Sequence, residues 1–277
     1  MTIDDITLAQ EKIANADAIL ITAGAGMGVD SGLPDFRGDE GFWEAYPPIK
    51  KLGLSFSQMA NPEWFEKKPK LAWAFYGHRL NLYRDTTPHI GFSMLKKLIS
   101  TKDKNYFIFT SNVDGQFQKA GFSDDKIYEC HGSIHHLQCS ENCTDEIWKN
   151  NENIDVDMDS FEANNLPTCP NCGALTRPNI LMFGDWGWNS KRSHSQDERF
   201  QTFLTNIQQN NHSIVIIEIG AGEAVPTVRA LSEEIATILD GFLIRINPRD
   251  YDTPKDLGIG LPLGGLEGIQ RILDEEL

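Results

Sequence analysis

The chain has 277 residues and carries 40 acidic against 25 basic side chains, a formal net charge of −15. That length suits one large core or a large and a small domain, and the charge disfavours nonspecific nucleic-acid binding while favouring basic partners such as lysine-rich protein segments. No apolar run approaches the roughly 20 residues needed to span a bilayer, and the polar start MTIDDITLAQEK does not read as a signal peptide, so the expectation is a cytoplasmic protein without a membrane partner.

In chain order, the first strong signal is an apolar strand over Ala18 to Thr22 that runs into Gly24-Ala25-Gly26-Met27-Gly28. Such a turn lets backbone N–H groups approach a pyrophosphate closely. The ordinary dinucleotide fingerprint wants glycines at 24, 26 and 29 with a helix following at once. Here position 29 is Val and Pro34-Asp35-Phe36-Arg37 interrupts any regular helix, so this is a nucleotide loop of a different kind. Residues 41–87 look helical and aromatic-rich. A strand over Tyr106 to Thr110 then leads into Ser111-Asn112-Val113-Asp114, at a strand end where open α/β sheets bind ligands. Asn112 offers an amide donor and acceptor and Asp114 an acceptor, the groups that fix the rotation of a carboxamide. The same residues also suit an ordinary turn.

Four of the five cysteines form two pairs, Cys139 with Cys143 and Cys169 with Cys172, the second shaped by Pro170-Asn171 and Gly173. Two such pairs can close tetrahedrally on a structural zinc that leaves no open position for water. Two disulfides or unliganded thiols are the alternatives. Cys130, beside His131, reads as a small buried side chain rather than a nucleophile. The polar run Asn150 to Asp159 reads as a mobile surface loop, and His135 and His136 as surface of the cysteine module. Further apolar runs, Ile180 to Phe183, Ile214 to Ile219 and Phe242 to Ile246, are continuous rather than alternating. Continuity suggests strands covered on both faces, hence an α/β protein with a Rossmann-like parallel sheet flanked by helices. The expected division is a sheet domain of residues 1–40, 88–131 and 178–277, with a helical module (41–87) and a zinc-binding module (132–177) forming a smaller domain. No internal repeat is visible.

The motifs together resemble the sirtuins, NAD-consuming protein deacylases. Gly24 to Arg37 is similar to GAGxSxxSGIPDFR, Thr110 to Gly121 to TQNIDxLHxxAG, His131-Gly132 to the HG that carries the catalytic histidine, and Arg177 to Asp185 to RPxVVxFGE. Ile219-Gly220-Ala221-Gly222 stands where GTS is usual, and Ile246-Asn247 matches the adenosine-ribose contact. The resemblance implies NAD held by Gly24, Ala25, Gly26, Asp35, Phe36, Arg37, Ser111, Asn112, Asp114, Gly220, Gly222 and Asn247. It implies catalysis by His131 with Asn112 and Asp114, the histidine acting as general base for a ribose hydroxyl after an acyl-lysine carbonyl attacks C1′. Met182 and Phe183 would wall the acyl-lysine tunnel, the edge from Leu181 to Gly184 would pair with an extended peptide, and Tyr76 with Arg79 stands where desuccinylase-type members read an acyl carboxylate. Gly28 in place of Ser, Ser111 in place of Gln, Gly222 in place of Ser, the segment Trp186-Gly187-Trp188 and Glu223 depart from the pattern. The expected activity is NAD-dependent lysine deacylation, with ADP-ribosyl transfer or NAD hydrolysis as the rival and a noncatalytic NAD-binding module as a third reading.

Overall fold

The computed structural model describes residues 3–35, 38–101 and 105–273. Helix α1 (Ile3–Asn15) leads into β1 (Ala18–Ala23), then a 3-10 turn spans Ala25–Ser31. Helices α2 (Gly38–Ala45), α3 (Pro47–Lys51), α4 (Phe56–Met59), α5 (Glu63–Lys67) and α6 (Pro69–Asp85) form the aromatic-rich module, and α7 (Ile90–Thr101) returns the chain to the sheet. Next come β2 (Asn105–Thr110), α8 (Gln116–Lys119), β3 (Ile127–Glu129), β4 (Gly132–Cys139), β5 (Trp148–Lys149), β6 (Val156–Asp157), β7 (Glu162–Ala163) and β8 (Thr176–Ile180). The last third contains α9 (Lys191–Asn210), β9 (Ile214–Ile219), α10 (Thr227–Ile238), β10 (Phe242–Ile246), β11 (Gly258–Leu261) and α11 (Gly265–Leu273). Among the described residues, no helix is long and apolar enough to cross a membrane.

Six parallel strands lie in the order β11-β10-β9-β1-β2-β3. The chain builds outward from β1 to β3, then returns to the other side of β1 with β9, so the order reverses between β1 and β9. A reversal of this kind opens a crevice at the carboxyl ends of the two strands. β1 is buried at all six positions because its side chains alternate between two covered faces. Ile19 and Ile21 pack with Ile13 of α1, Phe92 and Leu95 of α7 and Ile269 of α11. Leu20 packs on the other face with Phe107, Phe109 and the α9 residues Phe200 and Phe203. Each fully buried side chain of this size contributes about 1.5–3 kcal/mol.

A separate core joins the helical module to the cysteine module. Helix α6 supplies Trp73, Phe75, Tyr76 and Leu80, which meet Ile134 and Leu137 of β4, Ile154, Phe161, Ile180 and Met182. The Trp73 indole N–H donates to the Thr176 carbonyl at 3.0 Å, fixing α6 against β8.

Two expectations fail here. The Ile180 to Phe183 run is no strand of the parallel sheet: β8 ends at Ile180 and pairs antiparallel with β4. Pro178 and the polar Arg177 and Asn179 were compatible with that smaller sheet, whereas the apolar run beyond Ile180 serves as a loop. The segment from Asn150 to Asp159 is not a free loop either. Ile154 is 1% exposed beside Gly77, and Asn81 and Arg84 of α6 donate to the carbonyls of Ile154, Asn150 and Glu152. Asn150 is itself buried and donates its amide to the Ile134 carbonyl, while Asn151, Glu152, Asn153, Asp155, Asp157 and Asp159 are exposed on a backbone that is tied down.

Candidate active site

Gly24 follows β1 directly and caps the 3-10 turn in extended conformation. Its N–H donates to the Ile219 carbonyl and that of Gly26 to the Gly220 carbonyl, both at 3.0 Å. The turn after β1 therefore lies against the turn after β9, back to back. A Cβ at Gly24 would stand 2.7 Å from the Gly220 oxygen, and one at Gly220, where φ is +65°, would stand 2.4 Å from the Gly26 carbonyl carbon. Here the glycines first permit two backbones to touch, and that contact shapes the crevice. Ala25 is exposed at its rim and Asp35 is half-buried. Phe36 and Arg37 lie outside the described residues.

The loop after β2 is tied to the same turn. Thr110 donates its hydroxyl to the Ala23 carbonyl and accepts the Asn112 N–H. The Asn112 side-chain amide donates to the Gly24 carbonyl at 2.9 Å, so a residue expected to meet the ligand also locks the two loops together. The Asp114 carboxylate accepts the Gln116 N–H at 2.9 Å. Burial, with the Glu129 charge adding, pushes Asp114 up to about 6, although the Gln116 hydrogen bond and the Arg79 charge oppose it.

His131 occupies the connection from β3 to β4 and is half-buried. Burial pushes its imidazole below the ordinary 6.5, and a hydrogen bond to the Ser111 backbone only partly opposes this. The ring is therefore neutral near pH 7, and the Ser111 hydrogen bond ties it to the loop that carries Asn112 and Asp114. Leu181 donates its N–H to the His131 carbonyl at 2.9 Å, which brings the segment after β8 to the same place.

Met182 is buried at 5% exposure, whereas Phe183 is 45% and Trp186 fully exposed. The Met182 N–H donates to the Asp185 carboxylate and the Phe183 N–H to the Ala60 carbonyl. The donors of residues 181–183 are thus committed within the chain, so the expected edge offers an incoming peptide carbonyls rather than a full ladder. Asp185, paired bidentately with Arg177 in full burial, also accepts the Gly187 N–H and holds this segment in shape.

Tyr76 and Arg79, on α6, are exposed by only 1% and 6%. Arg79 donates through Nε and Nη2 to the Tyr83 hydroxyl at 3.1 and 2.8 Å and stands 5.2 Å from the Phe75 ring centroid and 5.9 Å from that of Phe56. Phe56 in turn meets Phe183 edge to face at 6.1 Å. The Tyr76 hydroxyl is buried with no hydrogen-bond partner among the described residues.

The four cysteine sulfurs converge within 4.8 Å of one another. Cys139 to Cys172 and Cys143 to Cys169 are each 3.6 Å apart, far beyond a disulfide bond of about 2.05 Å and close to the edge of a tetrahedron with zinc–sulfur bonds of about 2.3 Å. The left-handed Gly173 at φ +74° turns the second knuckle, and its N–H donates to the Cys169 carbonyl. The donor set fits a structural zinc.

A model of the Sir2 family matches residues 24–222. The chain belongs to the Sir2 family. Its sequence is 23% identical to NAD-dependent protein deacylase 1 of Caldanaerobacter subterraneus subsp. tengcongensis over 272 residues, covering 98% of this chain and 99% of the relative. A similar likeness, 29% over 278 residues, links it to an NAD-dependent protein deacylase of Leptospira interrogans, with 97% of each chain covered. Among solved structures, a Sir2 homologue in complex with NAD superposes with a TM-score of 0.71 at 22% identity over 97% of this chain and 92% of that one, which shows the shared fold.

Several features of this Sir2 chain escaped the sequence. A Cβ at Gly28 would point at Leu33, 3.1 Å away, rather than into the crevice, and one at Gly222 would meet the Asp250 carboxylate at 3.4 Å. Asn247 is fully buried; its amide donates to the Ala221 carbonyl and its oxygen accepts the N–H groups of Arg249 and Asp250, so it braces the turn after β9. His89 was not singled out, yet its Nε2–H donates to the Met27 carbonyl and its Nδ1 accepts from Gly91, which ties the glycine turn to α7. The dipeptide Pro88-His89 just before a helix was the only local signal. His135 is half-buried rather than module surface, and its Nε2–H donates to the Asp114 carbonyl at 2.8 Å; His136 is half-buried beside it. Cys130 is half-buried rather than buried, but desolvation pushes its thiol up to about 12, out of range for a nucleophile.

Proposed function

We propose that this protein is an NAD-dependent protein-lysine deacylase, with His131 as general base and Asn112 and Asp114 orienting the leaving carboxamide. The observation that carries the reading is the hydrogen bond that joins the His131 ring to the backbone of Ser111, in the loop that is itself joined through Asn112 to the glycine turn; burial of the ring favours its neutral form. NAD, as co-substrate, supplies an ADP-ribosyl electrophile with nicotinamide as its leaving group. The chain's own task is to orient, exclude water and take a proton from a ribose hydroxyl; a neutral imidazole can take that proton. Gly24, Ala25, Gly26, Asp35, Ser111, Gly220, Gly222 and Asn247 form or brace the cofactor crevice, and the family pattern adds Phe36 and Arg37, which lie outside the described residues. Residues 1–40, 88–131 and 178–277 make up the cofactor domain, and 41–87 with 132–177 the small domain. A zinc held by Cys139, Cys143, Cys169 and Cys172 is structural. The names of the relatives support acyl-lysine proteins as substrates, and the acidic surface favours lysine-rich segments.

The finer part of the proposal is a preference for succinyl- or malonyl-lysine. Arg79 and the Tyr76 hydroxyl are buried, Arg79 beside the Phe56 ring that in turn meets Phe183, in a ring-lined setting where a guanidinium and a phenol suit a terminal carboxylate. A panel of acyl-lysine peptides incubated with NAD and followed by mass spectrometry tests both parts. His131→Ala should lower deacylation by about 10²–10⁴-fold with NAD binding retained, and the acid limb of the wild-type kcat/KM profile should fall below pH 6.5. Arg79→Met should cost the acidic substrates about tenfold to hundredfold and acetyl-lysine little. Equal losses on both would make Arg79 structural, and unchanged deacylation by His131→Ala would remove that residue from the mechanism.

A further inference from the structure

A cavity of about 740 Å³ lies between the end of α6, α8, α9 and the β4–β5 pair, with Asp114 and Gly115 in its wall and the residues of the glycine turn outside its lining. Its wall bears five cations, Arg84, Lys119, Lys149, Arg192 and Arg199, against the carboxylates of Asp114 and Asp124. In a chain of formal charge −15, composition does not produce such a wall; placement does.

Two of these cations already have structural work. Arg84 donates to the carbonyls of Asn150 and Glu152, and Lys119 to those of Arg84 and Thr86 at the carboxyl end of α6. The others differ. Arg192 gives Nη2 to Glu129, while its Nη1 is buried with no partner among the described residues. Arg199 gives Nη1 to the Ser195 carbonyl, and its Nε is buried without a hydrogen bond, the Asp125 carboxylate standing 3.9 Å away. His136 Nδ1 is likewise buried and unpartnered, and Lys149 stands opposite His136 in the strand pair. Burial first, and then the charges of Arg192, His135 and Lys149, push His136 down to about 3. The potential at this wall is therefore positive. Buried nitrogen atoms without acceptors are costly, and an anion that accepts from several of them relieves that cost.

We propose that this cavity binds a small phosphoryl polyanion, gripped by Arg192, Arg199, Lys149 and His136. The volume falls in the range of about 300–1,000 Å³ of small-molecule sites, and guanidinium, ammonium and imidazole groups together match phosphoryl oxygens. Free pyrophosphate and the phosphoryl end of a small metabolite share this chemistry. The site is separate from the cofactor crevice, yet the two share a wall. His135, which lines the cavity, holds the Asp114 carbonyl, and a Cβ at Gly115 would stand 2.7 Å from the His135 ring. An occupant therefore abuts the loop that carries Asn112 and Asp114.

The test is calorimetric titration of the intact protein, with sodium pyrophosphate and with ribose 5-phosphate as probes, on wild type and on cavity variants in parallel, so that binding at the glycine turn is common to all and the cavity's share is the difference. The expected result is saturable binding of at least one probe that weakens about tenfold for each cation removed in Lys149→Gln and Arg199→Gln, both exposed enough to leave the fold intact. The tighter probe identifies the source of the phosphoryl group. Arg192→Lys, which keeps the charge beside Glu129 but removes the spare guanidinium nitrogen, should weaken the same binding. Absence of saturable binding by either probe, equal affinity in all three variants, or tighter occupation of this wall by a short oligonucleotide would overturn the proposal.

Discussion

The two turns that meet at the carboxyl ends of β1 and β9 and the aromatic core around α6 are built on different principles. The first is made of backbone: Gly24, Gly26 and Gly220 touch through main-chain atoms, with Asn112 and Asn247 bonding carbonyls. The second is made of side chains, with Trp73, Tyr76, Arg79, Phe75 and Phe161 interlocked across segments far apart in sequence. A site made of backbone tolerates no added atom. A site made of side chains can be retuned residue by residue, which is where acyl preference would reside.

That contrast can be broken most severely at the metal centre, which holds the small module together through four sulfurs. Cys169→Ser should abolish stoichiometric zinc, measured by atomic emission, and unfold the cysteine module, because metal binding is folding free energy there; a loss of several kcal/mol or more is expected. Stoichiometric zinc in a variant lacking two of the thiols would refute the site. Next in size, Gly220→Ala brings a Cβ to 2.4 Å from the Gly26 carbonyl carbon at a φ of +65°. Destabilisation of about 3 kcal/mol and weakened NAD binding should appear together in denaturant melts and ligand titration. An unchanged melt would mean that the two turns are not in backbone contact.

The smallest effect sharpens the electrostatic side. Asp114 titrates near 6 in the folded protein against 3.8 unperturbed, so the folded state binds the extra proton between those values. Its contribution to stability is full below about pH 4 and is lost as pH rises through 6. Asp114→Asn removes that loss, so the variant should gain about 2 kcal/mol relative to wild type between pH 4 and pH 7, read from the difference of two pH-stability curves. Parallel curves would place the Asp114 carboxyl in water.

Backbone chemistry explains why the first region was legible. Glycine density, the SGLPDFR run and the Asn-x-Asp turn are local, and the four cysteines report their own spacing. The parallel sheet was also legible in β1, β2, β9 and β10, whose continuous apolar runs reflect two covered faces. Two strands were not. β3 is three residues long, and β11 contains Gly258 and Gly260, which a strand reading rejects but which the close approach of Leu243 and Tyr251 carbonyls requires. The pairing of Glu218 with Arg245, adjacent in register on β9 and β10 and fully buried, breaks each apolar run by one charge that makes sense only once the strands are neighbours. His89 and His135 act on loops 62 and 21 residues away, a separation no local pattern reveals.

The central claim is that ADP-ribose produced in this crevice captures an acyl group under the control of His131. Quantifying nicotinamide, free lysine peptide and O-acyl-ADP-ribose in one reaction tests it most directly. The account predicts equimolar amounts of all three, with the peptide and acyl products lost together in His131→Ala. Nicotinamide released while the peptide stays acylated, with ADP-ribose found on a protein side chain or as the free sugar nucleotide, would contradict it.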